Sequence, residues 1–170
     1  LDTWQQTGES AVLEELINLS LSSKKYFVES DEFDTGIRKH LNFGHTFGHA
    51  LEASTHFQIP HGVAVLIGMI AACNHSSCER TPAVKQLEEI CLRLLGNLDW
   101  NLKDILLDLD IELFSLYIRK DKKHSKDLFV LILPWRDSLR ILEQPDFNFG
   151  VTEARNAMRI GVEKIINEVR

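Results

Sequence analysis

His45 and His49 stand four residues apart in NFGHTFGHALE, a stretch with helical spacing, so their rings leave one face about one turn (~5.4 Å) apart along the axis. Neutral imidazoles in that arrangement suit Zn2+ and neighbouring divalent transition metals. His61 follows a loop containing Pro60, at the mouth of the next apolar segment, where a turn can bring its ring back toward His45. A catalytic zinc usually takes three protein ligands and keeps one position open, so two histidines leave a ligand to be found. The same spacing also arises among satisfied core histidines. Gly44 and Gly48 weigh against that plainer origin. Each costs ~1 kcal/mol inside a helix relative to Ala, which implies that a ligand or a neighbouring helix approaches the backbone there.

The elements that must position these rings are mostly helical. Apolar residues at Val12, Leu13, Leu16, Ile17, Leu19 and Leu21 predict a helix over Ser10 to Val28, capped near Glu9 or Ser10. SDEFDTGIR, Ser30 to Arg38, reads as a connecting loop, and helical spacing resumes from Leu41 to His56. From His61 to about Ser76 the chain is apolar nearly all round, which predicts a buried central helix. Thr81 and Pro82 open a further helix that ends at Gly96, and Asn101 to Leu107 and Ile111 to Lys120 supply two more helical pieces. Leu128 to Leu133 and Leu139 to Glu143 flank PWRDS as a small hairpin. Thr152 is expected to cap a last amphipathic helix with Ala154, Met158, Val162, Ile165 and Ile166 on one side. The fold class is therefore mainly α with one small β-hairpin, and 1–170 is expected to form a single helical domain.

Bulk properties narrow the function classes. With 170 residues, 44% of them hydrophobic, the chain can bury one core. A net charge of -6 with scattered Lys and Arg leaves no footprint for nucleic acid. Cys73, Cys78 and Cys91 fit neither a disulfide framework nor a paired zinc-ribbon spacing, so they read as small buried hydrophobes of a reducing, cytoplasmic protein. No apolar run is long enough to span a bilayer, and no signal peptide opens the chain.

Arg38, then LNFGHTFGHALE, then PHG followed by AV and IGM resembles the signature of the 3-dehydroquinate synthase family of sugar-phosphate cyclases. DEFDTGIR resembles the acidic segment that precedes that signature, and DKK, Asp121 to Lys123, resembles a later basic one. The likeness implies the helical, metal-binding C-terminal domain of that fold. It makes His45 and His61 ligands of a divalent metal, Zn2+ or Co2+. His49 becomes a catalytic group that binds substrate phosphate and shuttles protons. Lys24, Arg38 and Asn42 become catalytic and substrate contacts, and Lys123, with Lys122 the less favoured neighbour, holds the carboxylate or phosphate end. Arg forks onto such anions and Lys cancels their charge, so a small anionic sugar phosphate is the implied substrate.

Taken singly, Lys24 with Lys25, and DKKHSK, also suit solvated faces near helix ends, while Arg38 and Asn42 also suit capping and loop roles. The family's remaining metal ligand is a Glu in an AExxK-type segment upstream of Lys24, and NAD is held by an N-terminal domain; both are expected to lie outside this chain. No Gly-rich turn joining a strand to a helix occurs within it. Val63 replaces the Glu of the family's HGEAV. The chain is thus expected to be the C-terminal part of a lyase that works in a homodimer and is inactive alone. Three alternatives remain: a related sugar-phosphate cyclase, an iron-containing alcohol or glycerol dehydrogenase-like domain, suggested by PHGVA, and a non-catalytic helical module anchored by Trp4, Trp100 and Trp135.

Overall fold

The computed structural model describes residues 9–98, 101–122, 124 and 128–169. They divide into two units, one up to Leu41 and one from Asn42 onward.

The first unit holds helix α1 (Glu9–Ser30), two residues longer at its C-terminal end than the apolar spacing predicts. Its apolar residues Val12, Leu13, Leu16, Ile17, Leu19 and Leu21 are exposed. The loop that follows is organised by one carboxylate: Asp31 accepts the backbone N–H groups of Thr35, Gly36 and Arg38 at 2.7–3.1 Å. Those bonds, Thr35 foremost, hold its carboxyl below the usual range against the opposing effect of desolvation. A 3₁₀ turn then covers Ile37–Asn42, part of which the sequence assigns to loop and part to the next helix.

In the second unit, α2 begins at His45, four residues later than Leu41, and runs to Ser54. Gly44 is the reason: its φ of 78° is left-handed and breaks the helical path just before the first histidine. Helix α3 (His61–Cys73) is the central element, touching α2, α4 (Pro82–Gly96), the strand β1 (Phe129–Trp135) and α7 (Phe147–Glu168). A Cβ at Gly68 would overlap the Gly44 carbonyl, one at Gly48 would stand 3.0 Å from the Val65 Cα, and one at Gly44 2.7 Å from the Val65 carbonyl oxygen. The glycines therefore serve helix–helix contact, and they set the separation of the elements that carry the histidines.

Two short helices, α5 (Leu102–Leu107) and α6 (Ile111–Ile118), close over α7. The core contains Phe47, Leu51, Ile67, Ile70, Phe114, Phe129 and Met158, all at 1% exposure or less. Thr81 caps α4 by accepting from the Val84 N–H, as its position before Pro82 predicts. β1 pairs antiparallel with β2 (Ser138–Gln144) from Phe129↔Gln144 to Trp135↔Ser138, leaving a two-residue turn at Arg136 and Asp137. Pro134 continues the strand instead of ending it, which a two-stranded sheet tolerates because every strand has an open edge. Helix α7 starts at Phe147, five residues before Thr152. Asp146 caps it through the Phe149 N–H, while the Thr152 hydroxyl lies inside the helix and donates to the Asn148 carbonyl. The second unit is a mainly α assembly with one small hairpin, and among the described residues no helix is long and apolar enough to cross a membrane.

Candidate metal and substrate site

Helix α2 carries three polar groups on one stripe. His45, His49 and Glu52 occupy positions i, i+4 and i+7, which share a face. The loop from Thr55 to Pro60 turns the chain back, with His56 and Phe57 at φ of 52° and 60°, and delivers His61 as the first residue of α3. Ring centroids stand 5.5 Å apart for His45 and His49, 5.4 Å for His45 and His61, and 5.6 Å for His49 and His61. Two imidazoles bound to one tetrahedral zinc at Zn–N distances of ~2.0–2.1 Å place their centroids about 5.2 Å apart. The three rings thus match the spacing that a shared ion requires. His45 is half-buried while His49 and His61 are exposed, so the cluster opens to solvent on one side.

The outer ring nitrogens face oxygen acceptors. His45 Nδ1 is 3.2 Å from the Phe43 carbonyl oxygen, and His61 Nδ1 lies 3.2 and 3.3 Å from the two carboxylate oxygens of Glu52. Each pairing assigns the proton to Nδ1, which directs the Nε2 lone pair outward, the tautomer used by metal-ligating histidines. Glu52 escapes a reading focused on histidines, although its three-residue offset from His49 was a visible signal. The potential ligand atoms that lie within 4.8 Å of one another are those of His49, Glu52 and His61, whereas His45 joins the corner by its ring spacing.

Asn42, half-buried, ends the 3₁₀ turn three residues before His45. Lys24 lies in the exposed face of α1, and Arg38 is committed locally, its Nη1 donating to the Glu32 carbonyl at 2.9 Å; both belong to the first unit. Lys122 is exposed in the turn after α6, and Lys123, Trp4 and Trp100 lie outside the described residues.

Residues 2–124 match the family described as 3-dehydroquinate synthase C-terminal. The chain belongs to that family. It is 36% identical over 133 residues to the 3-dehydroquinate synthase of Saccharolobus solfataricus, a match spanning 75% of this chain and 37% of the relative. For the 3-dehydroquinate synthase of Streptococcus pyogenes serotype M18 the figures are 36% over 137 residues, 79% and 38%. For that of Macrococcus caseolyticus they are 33% over 139 residues, 82% and 36%. The chain therefore spans little more than a third of the length of these relatives. Membership is carried by the segment that holds the histidine corner, whereas β1, β2 and α7 follow the matched residues.

Proposed function

We propose that this chain forms the metal-binding and substrate-binding part of a 3-dehydroquinate synthase. That lyase converts 3-deoxy-D-arabino-heptulosonate 7-phosphate to 3-dehydroquinate and phosphate, a step of the shikimate pathway toward aromatic amino acids. The observation that carries the reading is the convergence of His45, His49 and His61 at 5.4–5.6 Å on two helices fixed by glycine contacts, in a chain of this family.

In this reading His45 and His61 hold Zn2+ or Co2+ through Nε2, with a further ligand from an N-terminal domain that also holds NAD. The bound ion supplies Lewis-acid polarisation of the substrate hydroxyl and of the ketone formed from it. The exposed ring of His49 meets the phosphate and moves a proton beside it. Asn42 orients the substrate, and Lys24, Arg38, Lys122 and Lys123 neutralise its anionic ends. Solvent access on the side of His49 and His61 supports entry of a small anion there. In the same reading the assembly is a cytoplasmic homodimer, and turnover requires an NAD-holding part together with residues 1–170.

The competing dehydrogenase reading is distinguished by chemistry. The full-length protein is expected to release phosphate from the heptulosonate phosphate in the presence of NAD. NAD-dependent oxidation of simple alcohols or glycerol, without such release, overturns the proposal.

A further inference from the structure

Glu52 is mostly buried, with 13% of its side chain exposed, and it sits on the stripe of α2 that carries His45 and His49. Its two oxygens face one atom, Nδ1 of His61, at 3.3 and 3.2 Å. His61 itself is exposed over 56% of its side chain, and it opens α3 directly after Pro60. The ring meets those of His45 and His49, but ring contacts do not select a tautomer. The carboxylate does, and it holds one ring nitrogen in place.

We propose that Glu52 is a positioning residue that holds His61 in the Nδ1–H tautomer and aims its Nε2 at the site shared with His45. This rests on the reading of His61 as a metal ligand. The same corner admits a second assignment, in which Glu52 itself binds the ion beside His49 and His61. The bond to His61 favours the positioning role: both oxygens converge on a ring nitrogen, and a carboxylate behind a ligating imidazole is the usual way to set its orientation and raise its basicity. The link also spans nine residues, from α2 to the start of α3, so it ties the two helices at the corner that the loop of 55–60 creates.

The test compares Glu52→Ala and Glu52→Gln in the full-length protein. Zn2+ affinity is measured by chelator competition, and the His61 tautomer by 15N-resolved NMR of metal-free protein. Glu52→Ala is expected to weaken Zn2+ binding about 10–100-fold and to spread His61 over both tautomers. Glu52→Gln keeps an acceptor of the same shape and is expected to restore the Nδ1–H form and most of the affinity. Unchanged affinity and tautomer in Glu52→Ala overturn the proposal. So does an equal, complete loss of metal in both variants, which would mark Glu52 as a direct ligand. His45→Ala run beside them separates the two ideas, because if it retains Zn2+ the metal site itself is wrong, whatever Glu52 does.

Discussion

Two ionisable clusters join helices in the second unit, and they are built in opposite ways. At one, Glu88 of α4 is 5% exposed and accepts from Arg80 and from Lys164 of α7 at 2.7 Å each, and from the Asn74 side chain at the end of α3. Burial alone would raise its carboxyl, but the bonds from Arg80, Lys164 and Asn74 outweigh this and hold it below the usual range. At the other, His49 and His61 are exposed and His45 half-buried, and the Nδ1 atoms of His45 and His61 face oxygen acceptors. A buried charge must be satisfied by the protein itself. A cluster open to water can be satisfied from outside the protein. Glu88 is thus enclosed by the fold, whereas the histidine corner is open on the side of His49 and His61.

Breaking the closed cluster should give the largest loss of stability. Glu88→Ala leaves Arg80 and Lys164 without their shared carboxylate and is expected to cost about 3–4 kcal/mol in denaturant unfolding, with metal content of the folded protein unchanged. Gly68→Ala should cost about 2–3 kcal/mol, since the new methyl overlaps the Gly44 carbonyl. Unlike Glu88→Ala, it should also loosen metal binding, because it pushes α2 from α3. If Gly68→Ala leaves metal affinity untouched, the glycine contacts do not set the histidine spacing.

A third test uses pH. Burial pushes His75 from an ordinary value of 6.5 down to about 4, with the nearby Glu153 and Arg140 acting in opposite directions. Its folded form stays neutral while the unfolded chain takes up a proton. The stability it contributes is therefore complete above pH 6.5 and is lost as pH falls from about 6.5 to 4, by about 3 kcal/mol. Glu88, held low, adds a further loss only below the ordinary carboxylate range. His75→Gln should flatten the upper part of that slope in unfolding free energies measured across pH. The smallest effect is expected for Glu52→Ala, under about 1 kcal/mol of stability, because its histidine partner is more than half exposed. A loss there as large as that of Glu88→Ala would erase the distinction between the two clusters.

Much of this architecture was legible in sequence. The all-round apolar character of α3 and the Thr81–Pro82 start of α4 determine those helices by local chemistry, and the four-residue histidine spacing needs only helix geometry. The hairpin was legible too, although Pro134 and Trp135 proved to be paired. What sequence did not reveal depends on backbone sign and on long-range return. Nothing in LNFGH states that Gly44 adopts a positive φ or that the Val65 carbonyl of another helix leaves no room there for a side chain. Asp146 and Thr152 are both good caps, and the earlier start chosen in the structure places Gly150 against the Phe129 ring. Glu52 gains its partner only because the loop of 55–60 folds His61 back onto α2. The three cysteines are buried and unpaired, with Cys91 pushed up to about 11 by burial, in keeping with their reading as small apolar groups.

The most direct measurement is metal content of the full-length protein, purified without added chelator, before and after His45→Ala. Close to one divalent ion per chain is expected in the parent, and loss of both that ion and phosphate release in the variant. A variant that keeps its metal would mean that the rings of α2 and α3 converge for some other reason.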